Sequence, residues 1–103
     1  MTIDVAIRKG RVIDGSGRPS ISADVGIAGD RVVALGEVPE ATTEIDATGL
    51  DVVPGFVDVH SHSDYTLLVD PRAVSALHQG VTTEVVGNCG HGCAPITHSR
   101  WRS

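Results

Sequence analysis

Two histidines separated by one residue, His60 and His62, are the side chains with the clearest potential for chemistry in this sequence. They follow an apolar run at residues 56–60 whose alternation predicts a β-strand. On an extended chain, residues i and i+2 point to the same side, so both imidazoles can reach one divalent metal ion. Asp58 shares this face and is expected to orient a ligand histidine. The alternative is an ordinary polar loop after a strand.

Cys89 is the second candidate ligand. It lies in a Gly-Asn-Cys-Gly segment directly after residues 81–86, whose β-branched side chains predict another strand. If the two strands are neighbours, the cysteine lies at the same edge as the histidine pair. A thiolate beside zinc is held deprotonated and can bind it. The alternative is a buried structural cysteine.

The segment between these strands predicts the helix that would connect them. Asp70, followed by a proline, is typical of a helix N-cap, and Gly80 is typical of a helix end. Strand, helix and strand over about 30 residues form a βαβ unit with parallel strands. Glu84, on the second strand, is expected to point to solvent or to a neighbouring strand. The fold class predicted for this part is α/β.

Residues 1–54 show a different pattern, in which short alternating segments are separated by glycine turns. Lys9 and Gly10 are expected to turn the chain after a first strand. A two-residue turn at Gly29 and Asp30, between two apolar runs, predicts a β-hairpin. Residues 43–46 and 51–53 are weaker strand candidates. We predict a small β-module without chemistry of its own.

Length and composition limit the architecture and the partners. The 103 residues are 41% hydrophobic and carry 13 acidic and 8 basic side chains, which gives a net charge of −5. A complete β/α barrel needs about 200 to 250 residues, so this chain cannot form one alone. The negative charge argues against nucleic acid and anionic membrane as partners. The sequence contains no signal peptide and no transmembrane run, so we expect a cytoplasmic chain with reduced cysteines.

Four segments around and before the candidate ligands carry a family resemblance. Residues 53–64 read VPGFVDVHSHSD and residues 79–90 read QGVTTEVVGNCG. The first resembles the first-strand motif of the amidohydrolase superfamily. The second is more specific and resembles the second-strand segment of the N-acyl-D-amino-acid deacylases, or D-aminoacylases. Residues 13–17 and 45–50 are similar to the β-module that opens that family, so the resemblance extends from residue 2 to about residue 95.

The resemblance implies a domain organisation and a ligand set. Residues 1–54 would be a small β-module, residues 55–96 the first βαβ unit of an incomplete TIM-type barrel, and residues 97–103 an irregular tail. The implied cofactor is zinc, with His60, His62 and Cys89 as its ligands. Cys89 would take the place that a carboxylated lysine fills in dihydroorotase- and hydantoinase-like relatives.

The resemblance also implies an activity, the hydrolysis of small-molecule N-acyl-D-amino acids to D-amino acids and a carboxylate. Water activated by the metal would attack the amide carbonyl, and a carboxylate would pass a proton to the leaving amine. The family's catalytic aspartate and further histidine ligands lie on later strands, so no catalytic residue is assigned here. After Pro95 the sequence departs from the family. We interpret the chain as a truncated or frame-shifted deacylase that is inactive alone.

Two other functions stay open at this point. Cys89, Cys93 and His98 have a spacing that zinc sites tolerate, so they could form a small zinc-binding module without catalysis. Alternatively, a complementing chain could complete a half barrel whose sheet edges would otherwise be exposed. His78 and His91 are expected to be a helix-end and a loop histidine.

Overall fold

The computed structural model describes residues 2–93 of the chain. The chain divides into two compact units, Met1–Pro54 and Gly55–Ser103, which we call the N-terminal unit and the C-terminal unit. The described part of the N-terminal unit is built from strands, whereas that of the C-terminal unit combines strands with short helices. The secondary structure is therefore mixed α and β.

The N-terminal unit is a five-stranded sheet. Its strands are β1 (Ile3–Val12), β2 (Ile21–Ala28), β3 (Arg31–Gly36), β4 (Ala41–Asp46) and β5 (Asp51–Val52). β2 pairs antiparallel with β1 and with β3, and the β2–β3 connection is the predicted two-residue turn. β4 and β5 pair in parallel with successive halves of β1, which makes β1 the central strand.

The expected turn at Lys9 and Gly10 is wrong, because β1 continues through both residues. The register of β1 against β2 shifts between Ile7 and Gly10, and Lys9 has a positive φ of 60°. These features describe a bulge that lets the ladder resume beyond it. The backbone N–H of Lys9 donates to the Asp24 carboxylate at 2.8 Å, so the bulged residue keeps a partner.

Small and β-branched side chains form the core of the N-terminal unit. The buried hydrophobic residues are Ile3, Ala6, Val12, Val25 and Ala47. Beside them, the Arg8 guanidinium donates to the Asp24 carboxylate at 3.0 Å and to the Val38 carbonyl oxygen at 2.6 Å. It also pairs with Glu44 on β4, so one side chain joins three parts of the sheet.

The C-terminal unit places a short parallel strand pair beside two short helices. Its elements are β6 (Phe56–Asp58), α1 (Asp64–Val69), α2 (Val74–His78), β7 (Val81–Glu84) and a 3₁₀ turn (Asn88–Gly90). β6 and β7 pair in parallel, as the sequence predicts, with Asp58 opposite Glu84. Backbone hydrogen bonds continue beyond the ladder: the backbone N–H of Ser61 donates to the Val85 carbonyl oxygen at 3.0 Å.

The connection between β6 and β7 differs from the predicted single helix. Asp70 is the C-cap residue of α1, not an N-cap, and α2 begins only at Val74. The Asp70 carboxylate instead accepts the backbone N–H and the guanidinium N–H groups of Arg72. Ala73 then adopts a left-handed conformation with φ of 48°, which separates the two helices. None of the helices in residues 2–93 has the length and apolarity needed to cross a bilayer.

Candidate metal centre

The structure brings His60, His62 and Cys89 together. One ligand atom from each residue lies within 4.8 Å of the other two, and all three side chains are exposed. The Cys89 Sγ is 3.3 Å from the His60 Nε2, and the two histidine rings meet edge to face with centroids 5.4 Å apart. The three side chains selected from the sequence therefore form one cluster.

The parallel pairing of β6 and β7 explains why residues 29 positions apart meet. The carboxyl ends of parallel strands lie at the same edge of a sheet, so the segments after Asp58 and after Glu84 leave the sheet side by side. Cys89 is brought back toward the histidines by the 3₁₀ turn, in which its own φ is 58°. Gly87, with φ of 82°, precedes that turn and accepts a conformation that L side chains rarely adopt.

The donor set fits zinc, and one of its ligand-atom distances is close to that of a zinc site. Zn–S and Zn–N bonds of about 2.3 and 2.0 Å at tetrahedral angles place two ligand atoms about 3.5 Å apart. The distance of 3.3 Å between Cys89 Sγ and His60 Nε2 is close to that value. Imidazole and thiolate ligands suit zinc and similar transition metals, whereas magnesium and calcium prefer oxygen. Three protein ligands would leave a coordination position open, as catalytic zinc sites do.

Asp58 acts on the backbone of a candidate ligand. Its carboxylate accepts the backbone N–H of His60 at 3.0 Å. The expectation that it orients a ligand histidine through the ring is therefore not what the structure shows. This bond fixes the chain direction where β6 ends and the histidine segment begins.

Glu84 contacts the histidine segment, a role that sequence analysis missed. Its two carboxylate oxygens accept the hydroxyl groups of Ser61 at 3.0 Å and Ser63 at 2.7 Å. The signal that could have identified it is positional. Parallel pairing sets Glu84 opposite Asp58, and two serines alternate with the histidines that follow Asp58.

Cys93 lies in a different environment from Cys89. Its backbone N–H donates to an Asp64 carboxylate oxygen at 2.8 Å. The interaction of its side chain with the Asp64 carboxylate, together with burial, raises the pKa of Cys93, which disfavours the thiolate that zinc needs. His98, the third residue of the alternative zinc module, lies outside the described residues.

The remaining histidines lie beside the cluster or away from it. His91 packs edge to face on His62 with ring centroids 6.0 Å apart, whereas His78 ends α2. Neither belongs to the group of three ligand atoms found in residues 2–93.

Comparison with known proteins identifies a family. Residues 43–103 match the model of the amidohydrolase family. The chain is 44% identical over 98 residues to a D-aminoacylase of Alcaligenes xylosoxydans xylosoxydans, covering 93% of this chain and 20% of that protein. It is 43% identical over 96 residues to an N-acyl-D-aspartate deacylase of the same organism, covering 91% and 19%.

Solved structures give the same result. The chain superimposes on an N-acyl-D-glutamate deacylase from Bordetella bronchiseptica, complexed with zinc and a phosphonate inhibitor, with a TM-score of 0.87 and 42% identity. That match covers 92% of this chain and 20% of the other. A D-aminoacylase structure with a binuclear metal centre matches with a TM-score of 0.87 and 44% identity over 93% of this chain and 21% of that one. The chain thus spans about a fifth of the length of these relatives, and it belongs to the amidohydrolase family.

Proposed function

We propose that this chain supplies the first metal-ligand segments of a zinc-dependent hydrolase that acts on N-acyl-D-amino acids. The observation that carries the proposal is the cluster of two imidazoles and one thiol, with ligand atoms within 4.8 Å, at the carboxyl ends of two parallel strands. Deacylases with such substrates in their names are 42–44% identical to the chain across nearly its whole length, which supports the substrate class.

The proposed roles divide between this chain and the remainder of such an enzyme. His60 and His62 would each give one imidazole nitrogen and Cys89 a thiolate. Zinc held there would act as a Lewis acid and make bound water more acidic. We place the proton-transferring aspartate and the residues that recognise the substrate outside residues 2–93. The three residues of this chain therefore bind and orient, and none of them is assigned a proton-transfer role.

The architecture proposed for the complete enzyme is a β/α barrel, with β6 and β7 as its first two strands. Two parallel strands bury their faces only when more strands and helices cover them. In such barrels the catalytic groups gather at the carboxyl ends of the strands, where the cluster of this chain lies. The missing strands would come from a longer polypeptide or from a complementing chain. We therefore propose that the 103-residue chain binds metal without turning over substrate.

Metal titration of the 103-residue chain tests the ligand assignment. Cobalt(II) replaces zinc in such sites, and a thiolate ligand adds an intense charge-transfer band. We expect this band in the wild type and its loss in Cys89→Ser. His60→Ala removes a proposed ligand. It is therefore expected to weaken cobalt and zinc binding more than the loss of an outer partner, a group that hydrogen-bonds a ligand, which typically costs about tenfold to about a hundredfold. His78→Ala and Cys93→Ser are the matched controls and should bind as the wild type does.

The same titration separates this proposal from the small zinc module. Loss of binding in Cys93→Ser, with normal binding in His60→Ala, would favour a site built on Cys93.

An assay of the zinc-loaded chain on N-acetyl-D- and N-acetyl-L-amino acids tests whether further strands are needed for activity. We expect no turnover, because an exposed cluster neither excludes water nor orients a substrate. Turnover selective for the D form would contradict that need.

A further inference from the structure

One carboxylate, that of Glu84, bridges the two serines of the His-Ser-His-Ser segment. Oε1 accepts the Ser61 hydroxyl at 3.0 Å, and Oε2 accepts the Ser63 hydroxyl at 2.7 Å. The two hydroxyl oxygens are themselves 2.9 Å apart, and the backbone N–H of Ser63 donates to the Ser61 Oγ at 3.2 Å. Each hydroxyl has one proton, so with both given to Glu84 these groups form a set of three simultaneous hydrogen bonds, two to the carboxylate and one from the Ser63 backbone N–H to the Ser61 Oγ.

The geometry of the chain connects this set to the candidate ligands. Ser61 lies between His60 and His62, and Ser63 follows His62, so bonds that hold the two serines also hold the short stretch of backbone that carries both imidazoles. Ser61 is held twice, by its hydroxyl on Glu84 and by its backbone N–H on Val85 O at 3.0 Å. Both partners stand at the end of β7, the strand that also leads to Cys89.

The environment of Glu84 makes these bonds stronger than ordinary surface contacts. Glu84, Ser61 and Ser63 are each half-buried, and hydrogen bonds to an ionised carboxylate are about twice as strong as neutral ones. Within residues 2–93, Glu84 takes part in no ion pair, so its contacts are directed at the serine hydroxyls. Zinc sites depend on such outer partners, which hold the ligands in position.

We infer that Glu84 is a positioning residue, which holds His60 and His62 toward Cys89 through Ser61 and Ser63 and so preorganises the metal centre. The inference rests on the proposed function only in treating these three side chains as metal ligands. What it adds is that the positions of the two histidines depend on a carboxylate of the neighbouring strand.

Cobalt affinity of the full 103-residue chain tests this role. Glu84→Ala is expected to weaken binding by about tenfold to about a hundredfold, the range typical for an outer partner. Glu84→Gln keeps the shape and a hydrogen-bonding group for each serine, so it should restore most of the affinity. Asp70→Ala removes an equal charge from the C-terminal unit, where that carboxylate bonds Arg72, and should bind as the wild type does. An equal loss in Glu84→Gln and Glu84→Ala would indicate simple charge attraction and overturn the inference.

A double-mutant cycle tests the route through the serines. If Glu84 acts through Ser61, the effects of Ser61→Ala and Glu84→Ala on cobalt affinity will be clearly less than additive. Full additivity, or an affinity of Glu84→Ala equal to that of the wild type, would overturn the inference while leaving the metal site intact.

An NMR measurement on the metal-free chain separates this inference from the metal proposal. A nuclear Overhauser contact between the His60 ring and the Cys89 side chain is expected in the wild type and in Glu84→Gln. It should be lost in Glu84→Ala, and its persistence there would contradict positioning. A wild type that showed this contact but bound no cobalt would sink the proposed metal function alone.

Discussion

Asp14 and Asp46 are each hydrogen-bonded by the residue two positions later in the chain. The Asp14 carboxylate accepts the backbone N–H of Ser16 at 2.9 Å and its hydroxyl at 2.5 Å. Asp46 accepts the same two groups from Thr48, at 2.9 and 2.6 Å. These bonds stabilise the charged form of each carboxyl. The Ser16 bonds, helped by Arg18, lower the pKa of Asp14 from 3.8 to about 2, and the Thr48 bonds lower that of Asp46.

Replacing the hydroxyl donors should shift these two pKa values independently. Ser16→Ala removes the largest cause of the Asp14 shift and should raise the pKa of Asp14 toward 3.8 without moving that of Asp46. Thr48→Ala should do the converse, which makes each variant the control for the other. NMR titration of the side-chain carboxyl carbons measures both, and an Asp14 pKa that stays near 2 in Ser16→Ala would contradict the assignment.

The same shift fixes the sign of a pH effect on stability. The folded pKa of Asp14 lies below its unfolded value, so the charged carboxyl stabilises the folded chain. This contribution is complete above about pH 4 and is lost as the pH falls toward about 2. As the pH falls from about 4 to about 2, the free energy of unfolding of the wild type should therefore decrease more than that of Ser16→Ala. Chemical denaturation at several pH values measures the difference.

Residue types and spacing predict the candidate ligands but not the groups that hold them. The His-x-His pair and the cysteine after the next strand are visible in sequence because extended chains alternate and parallel strands end at one edge. The bond from Asp58 to a backbone N–H and the serine contacts of Glu84 depend on a register that residue types do not specify. Outer partners of this kind become visible only once the strands are paired.

Gly10 shows, at the scale of elements, how closely β1 and β5 approach. It is buried, and an added Cβ would overlap the Val52 side chain and lie 3.3 Å from the Ala47 Cβ. Gly10→Ala should therefore destabilise the chain by about 1–3 kcal/mol through overpacking. Val52→Ala removes the overlapping methyl groups, so the double variant should lose less than the sum of the single losses. Denaturant unfolding of the four proteins gives the comparison, and additive losses would contradict the steric cause.

Local patterns predict the strands of this chain better than its helices. β2, β3, β6 and β7 form where alternation or β-branched residues predict them, but β6 ends at Asp58 and β7 at Glu84, each two residues before its predicted end. The two-residue turn at Gly29 and Asp30 joins β2 to β3. The helix prediction failed because Asp70 suits two structures, an N-cap and a turn in which its carboxylate accepts the backbone N–H two residues later. The contact with the Arg72 guanidinium accompanies the second structure. Helix α1 begins after Ser63, a residue type preferred at N-caps, although the Ser63 side chain makes no capping bond.

The two units of the molecule differ in how much apolar surface they bury. All five buried hydrophobic residues lie in the N-terminal unit, whereas no described residue of the C-terminal unit is fully buried. Leu68 and Val69 on α1 remain 76% and 87% exposed. Because burial of apolar surface is the main stabilising term, the C-terminal unit should open far more readily than the N-terminal unit.

Hydrogen exchange of the 103-residue chain tests this difference and its link to the metal. Without metal, amides of β1 and β2 should exchange slowly, while those of β6 and β7 should exchange faster, because the C-terminal unit opens more often than the N-terminal unit. Zinc at about 100 times its Kd should stabilise the folded C-terminal unit by about 2.7 kcal/mol, because it binds only the assembled ligands. Protection should then rise around His60 and Cys89 in the wild type and not in Cys89→Ser. Equal protection of both units without metal would contradict the lower stability expected for the C-terminal unit.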